Sequence, residues 1–249
     1  MAVPSPTGNR LAIVVGSGLS GDVLGETAEV VELTVEGFGG DPVVVPIEDC
    51  GNYLVLRRHG RDWSRPAHRL DHHANIRALC AAGCDRVLAL SSVGSLRSDW
   101  PAGTMVAPDD FLAFDAYPSF HDDTGGHLVP GFDPGWRATV VAAWQEAAST
   151  DVVDGGVYAQ TRGPRFETKA EVRMLASNAD VVGMTVASEC ILAREAGVAY
   201  AAVCKVDNLA NGIGERDLTV DEFLEGGAST ARRLADDVRS VVAALAGRP

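Results

Sequence analysis

The stretch YAQTRGPRFETKAEVRMLASNADVVGMTVASECILAREAGVAYAAVCKVDN, residues 158 to 208, decides the fold. It packs two strand-helix units and a third strand together almost without linkers. Gly163-Pro164-Arg165-Phe166-Glu167-Thr168 opens a helix, and Thr168 to Ala176 alternates at helical period. Asp180 to Met184 reads as a strand, Gly183-Met184-Thr185 opens a second helix over Ser188 to Ala196, and Gly197 ends it. An apolar run from Val198 to Val206 then delivers Asp207 and Asn208. Strand ends and helix starts of this kind converge on one crevice in α/β proteins, so three consecutive junctions mark a ligand site.

Upstream, Leu11 to Val15 is a β-branched run that ends in Gly16-Ser17-Gly18, a turn able to present N-H groups and a hydroxyl to an oxyanion. Its spacing is not that of a P-loop or a dinucleotide fingerprint, and a plain tight turn is the bland alternative. Val30 to Glu36, Val43 to Ile47 and Tyr53 to Arg57 read as antiparallel neighbours. The last runs into Arg57-Arg58-His59-Gly60, where a planar guanidinium beside an imidazole suits phosphate; a solvated charged turn is the competing reading. Arg65 to His73 is rich in histidine but lacks metal-ligand spacing. Asn75 to Ala82 predicts a helix capped by Gly83, and Asp85 to Leu90 a buried strand that delivers Ser91-Ser92-Val93-Gly94-Ser95, hydroxyls and a glycine that look like an anion or base platform, with an ordinary serine-rich turn as the bland alternative.

Further along, Tyr117 to Phe132 predicts a long loop carrying His121 and His127, of the length used for lids and subunit contacts. Pro134 to Ser149 reads as a helix and Val152 to Ala159 as one strand. Thr219 with Glu222 is a capping-box signature for a final helix to about Ala246.

The bulk composition narrows the function. With 249 residues, 46% of them hydrophobic, the chain can bury a large core, and no Pro/Ser/Gly-rich linker divides it, which points to a single domain over 1–249. A net charge of -13 opposes any sequence-independent grip on nucleic acid, yet local donors can still hold one phosphate. No apolar run is long enough to span a bilayer, and Met1 to Arg10 lacks a signal-peptide pattern, so a cytoplasmic protein is expected. Five cysteines without a C-x-x-C pair read as reduced, mostly buried thiols.

Together these motifs resemble, over roughly residues 11 to 240, the purine nucleoside and methylthioadenosine phosphorylases. The resemblance implies an α/β fold of one domain, with a mixed, partly closed β-sheet surrounded by helices, usually assembled as a homotrimer. It implies cleavage of a purine nucleoside by inorganic phosphate to free base and pentose 1-phosphate, with phosphate as co-substrate and neither metal nor organic cofactor. The family's phosphate ligands match Ser17, Arg58, His59, Ser91 with the backbone of Ser92, and Thr185. Phe166 matches the ring against the purine and Met184 the side chain under the ribose. Glu167 and Asn208 match the carboxylate and amide that 6-oxopurine enzymes place at N1 and at O6 and N7, where they stabilise the departing base. Methylthioadenosine enzymes carry an aspartate in place of Asn208 and another at the position of Ala210.

The 5' end of the sugar resembles the other branch. Val220 stands where ordinary purine nucleoside enzymes carry a histidine and methylthioadenosine enzymes a valine, a combination expected of S-methyl-5'-thioinosine phosphorylases. His127 aligns with a histidine that methylthioadenosine enzymes lend to the neighbouring subunit. Two features depart from the pattern: Asp207 puts a negative charge next to Asn208, and Leu70-Asp71-His72 replaces the family's Val-Asn-Tyr at a subunit contact. Three alternatives therefore stay open beside a phosphorylase of S-methyl-5'-thioinosine, inosine or guanosine: an enzyme for another 5'-modified nucleoside or methylthioadenosine, a hydrolytic nucleosidase, and a silent nucleoside-binding paralogue.

Overall fold

The computed structural model describes residues 3–16, 28–116, 118–214 and 231–247. Eleven strands form one mixed sheet: β1 (Arg10–Val15), β2 (Glu29–Glu36), β3 (Pro42–Asp49), β4 (Tyr53–Arg57), β5 (Cys84–Ser95), β6 (Met105–Ala107), β7 (Asp110–Ala113), β8 (Val152–Asp154), β9 (Val157–Gln160), β10 (Val181–Gly183) and β11 (Ala199–Leu209). The helices are α1 (His72–Ala81), α2 (Pro134–Ala147), α3 (Lys169–Ala176), α4 (Val186–Glu195) and α5 (Ala231–Ala246).

Strand β5 is the centre of the sheet. Its first half pairs with β1, its end pairs antiparallel with β10, and β11 runs parallel along its other edge. A strand flanked in this way is covered on both faces, which is why β1, β5 and β11 read as continuous apolar runs instead of alternating ones. Along β1, Ala12 and Val14 face the cluster that holds Ile76 and Leu79 of α1 and Val186 and Leu192 of α4. Leu11, Ile13 and Val15 face the opposite cluster, with Trp136, Val140 and Trp144 of α2 and Val238 and Val241 of α5. A small third cluster sets Val172 and Leu175 of α3 against Ala159 and Val182. No ladder joins β7 to β8 among the described residues, so the mixed sheet is not closed there.

Local chemistry fixes the helix starts. Asp71 caps α1 by accepting from Ala74 N at 2.9 Å, so the helix begins at His72, three residues earlier than the apolar period suggests. The other oxygen of Asp71 accepts from Phe38 N at 2.9 Å, tying α1 to the β2–β3 turn. That intramolecular tie is what the departing Leu70-Asp71-His72 segment does in this chain. Thr168 and Glu171 form a capping box at α3. The expected capping box at Thr219 and Glu222 lies outside the described residues.

Two strand readings need correction. Ser91 to Ser95 is not a turn after β5 but its last part, held in extended form by β10 and β11. Val152 to Ala159 is not one strand, because Gly155 and Gly156 take φ of +119° and +109° and break it into β8 and β9, which pair with different neighbours.

Candidate active site

Register brings the phosphate candidates to one level. Val15 pairs with Arg57 across β1 and β4 and with Leu90 across β1 and β5, so the next residues, Gly16, Arg58 and Ser91, emerge side by side. Backbone bonds continue the ladders past the strands, from Arg58 N to Val15 O and from Gly16 N to Leu90 O, each at 3.0 Å. A Cβ on Gly16 would stand 2.6 Å from Arg58 Nη1, so the guanidinium occupies the space that glycine leaves.

Arg58 is fully buried, and its fork is already occupied on one edge. Nε and Nη2 donate to the two oxygens of Glu189 at 2.5 and 2.9 Å, and Nη1 donates to Leu90 O at 3.1 Å. Two of the five N-H groups are left for a ligand, both on the Nη1 and Nη2 end. Only part of the planar fork noted in the sequence is therefore available to phosphate. Burial opposes the Arg58 charge, and the Glu189 carboxylate outweighs it, so the guanidinium pKa is raised. Burial likewise works against ionised Glu189, but Arg58 keeps its pKa below the ordinary carboxylate value. Tyr200 donates to Glu189 Oε2 at 2.7 Å, and buried His72 lies 3.8 Å from Oε1. Desolvation lowers the His72 pKa to about 4 despite that carboxylate, so the ring is neutral.

His59 lies at the same rim. Its Nδ1 is 2.7 Å from Arg65 O; a carbonyl only accepts, so Nδ1 carries the proton and Nε2 is left to a ligand. Burial first, and the Arg58 charge second, lower its pKa. Thr185 caps α4 without a side-chain cap bond, which leaves its hydroxyl uncommitted to the helix. The backbone N-H groups of Thr185 and Val186 instead reach Tyr158 Oη at 3.3 and 3.4 Å. The first N-H groups of α4 are thus spent inside the core, and the Thr185 side chain is what this helix start presents to the cavity.

The base end is built differently. Glu167 is 8% exposed, its Oε1 accepts from Thr161 Oγ1 at 2.6 Å, and its backbone oxygen accepts from Asn211 Nδ2 at 3.1 Å. Asn208 uses one Nδ2 hydrogen on Leu209 O at 2.8 Å and keeps the other, with Oδ1, for a ligand. Val206 pairs with Val93 and Asn208 with Gly94, so Asp207 is the extra residue of a bulge that re-aims Asn208. Asp207 itself is buried in an ion pair 3.0 Å from Lys205 Nζ, outside the cavity lining. The negative charge expected beside the base is thus neutralised on the other side of the strand.

One cavity is lined by Arg58, His59, Ser91, Ser92, Phe166, Glu167, Met184, Thr185 and Asn208, nine of the candidates named from sequence. Ser17 and Val220 lie outside the described residues. His127 is exposed and does not line this cavity. Sequence reasoning missed Ala67, Val182 and Asn211, which complete the wall, and Glu189 and Thr161 behind it. Among the described residues, no group of three His, Cys, Asp or Glu side chains is placed to hold a metal ion.

Known proteins carry the same chain plan. Residues 10–243 match the family model described as the phosphorylase superfamily. A probable 6-oxopurine nucleoside phosphorylase of Archaeoglobus fulgidus is 40% identical over 86% of this chain and 88% of its own length. A probable S-methyl-5'-thioinosine phosphorylase of Methanosarcina acetivorans is 37% identical over 80% of this chain and 85% of its own. Among solved structures, the Schistosoma mansoni methylthioadenosine phosphorylase in complex with adenine superposes with a TM-score of 0.80 at 26% identity, covering 97% of this chain and 93% of that one. Matching register, cavity and chain-long similarity lead to one conclusion: this protein is a member of the phosphorylase superfamily.

Proposed function

We propose that the protein is a purine nucleoside phosphorylase that cleaves a 6-oxopurine nucleoside with inorganic phosphate, releasing free base and pentose 1-phosphate. The observation that carries this reading is the polarity of one cavity. Arg58, His59, Ser91 and Thr185 cluster at strand and helix ends, while Glu167 and Asn208 stand at the base end beside Phe166. Phosphate held at the first end attacks C1' as the bond to N9 loosens. The Glu167 side chain accepts the N1 hydrogen, and the Asn208 amide donates to N7, where negative charge develops as the base departs. Phosphate is a co-substrate, and the reaction uses no cofactor.

Within this class we favour S-methyl-5'-thioinosine, inosine or guanosine as substrate, in keeping with the names of the Archaeoglobus and Methanosarcina relatives. A trimer is the assembly we infer. Phe166 at the cavity and Phe114 and Met174 at the neighbouring one leave 38%, 60% and 55% of their surface exposed, and apolar side chains left open beside a site suit a neighbouring subunit. All five cysteines are free, which fits a reducing cytoplasmic setting, and no described helix is long and apolar enough to cross a membrane.

The test is product chromatography with S-methyl-5'-thioinosine, inosine, guanosine and methylthioadenosine, each with and without phosphate. Phosphate-dependent hypoxanthine release supports the reading, and the fastest substrate assigns the 5' pocket. Base release that ignores phosphate would make the protein a nucleosidase, and no release from any substrate would favour a silent paralogue.

A further inference from the structure

Glu167 is clamped from two sides. Thr161 holds its carboxylate through Oε1 and Asn211 holds its backbone oxygen. Thr161 is itself fixed, because its N-H donates to Gly183 O at 2.9 Å, at the strand end that leads into Met184. One cation nearby in sequence, Arg165, is committed to Glu171 by two bonds of 2.7 and 2.8 Å. Glu167 also separates the base cavity from a second cavity that Thr161, Phe114 and Met174 help to line. The Thr161 hydroxyl therefore supplies the hydrogen bond that orients the carboxylate.

We infer that Thr161 is a positioning residue that sets the preference for 6-oxopurines over 6-aminopurines. A hydroxyl has one hydrogen, and here it is spent on Oε1. That bond holds the carboxylate in one orientation and leaves Oε2 to the base as an acceptor. A 6-oxopurine presents an N1 hydrogen that such an acceptor can take. A 6-aminopurine presents a bare N1 lone pair, which requires a donor and meets an anion instead. A site built around one hydrogen bond discriminates strongly against an analogue that leaves its polar group unpaired. With valine at residue 161, the carboxyl group loses its donor and is free to rotate, and the rejection of 6-aminopurines weakens.

This inference rests on the assignment of Glu167 to the purine N1 edge, and the test separates the two. The kcat/KM for inosine and for adenosine is measured with saturating phosphate for the unmodified protein, Thr161→Val and Thr161→Ser. Thr161→Val is expected to narrow the inosine-to-adenosine ratio about tenfold or more, in the range that one unpaired buried group costs. Thr161→Ser, which keeps the hydroxyl, is expected to hold the ratio within about threefold of the unmodified value. In a Glu167→Gln background, Thr161→Val should move the ratio no further. If Thr161→Val lowers both substrates equally, or if the ratio is unchanged, Thr161 is only structural and the inference is overturned. If the unmodified protein turns over no 6-oxopurine nucleoside, the parent assignment fails and takes the inference with it. Should Thr161→Val fail to fold, Thr161→Ala and the binding ratio of hypoxanthine to adenine, read by calorimetry, decide the question by the same criterion.

Discussion

The two ends of the cavity are held by different means. At the phosphate end, Gly16, Arg58 and Ser91 take their positions from the register of three parallel strands, and the one charged side chain is locked to Glu189 inside the core. At the base end, Glu167 and Asn208 take theirs from single side-chain bonds and a bulge, with Phe166 half in solvent. The phosphate end cannot change without disturbing the sheet. The base end can be retuned one residue at a time, so one fold is able to serve several purine nucleosides.

The strongest way to break this contrast is Glu189→Ala. It leaves Arg58 charged and uncompensated in the core, and removal of one partner of a buried pair costs on the order of 3 to 5 kcal/mol. Chemical denaturation should show that loss together with a raised phosphate KM. A midpoint shifted by less than about 1 kcal/mol would mean that Arg58 is not held by this pair. Asn208→Ala tests the other end. Loss of one oriented donor at the departing base should lower kcat by on the order of 10² to 10³ with little effect on the melting temperature. Activity within a few-fold of the unmodified enzyme would remove Asn208 from the chemistry.

The smallest expected effect concerns pH and again separates the two ends. His72 titrates near 4 in the folded protein because burial disfavours its cation, against an ordinary value of 6.5. The unfolded chain therefore binds the extra proton first. Stability is fully present above about 6.5, declines as pH falls, and levels off below about 4, a loss of roughly 3 kcal/mol from this group. His72→Asn should flatten that part of the stability profile measured between pH 7.5 and 4. An unchanged slope would place the acid sensitivity elsewhere.

Much of this was legible before any coordinates. The strand-turn-helix order followed from local patterns, because each junction lies at the end of an element whose period is plain, and nine cavity residues followed from the family resemblance that those junctions carry. The Gly155-Gly156 break was also written in the sequence, and a long apolar run hid it. What stayed hidden depends on partners far away in the chain. Nothing near Glu189 says that it will meet an arginine 131 residues earlier, and a glutamate on an otherwise apolar helix face reads as solvated until the sheet encloses it. Asp207 misled for the same reason, because its effect turns on a bulge and on Lys205 beneath it. Strand β5 reads as ending at Leu90 because hydroxyls and glycine disfavour strands, and two flanking ladders override that preference as far as Ser95.

The Arg58–Glu189 pair has a consequence for how phosphate reaches the protein. Its guanidinium field is largely cancelled before any ligand arrives, while the chain as a whole carries a charge of -13. At long range that net charge repels a dianion, so capture depends on donors that act at contact distance. Ions in solution then screen a repulsion instead of an attraction. Added salt should help phosphate approach this enzyme, the reverse of what an arginine at the floor of an anion site suggests.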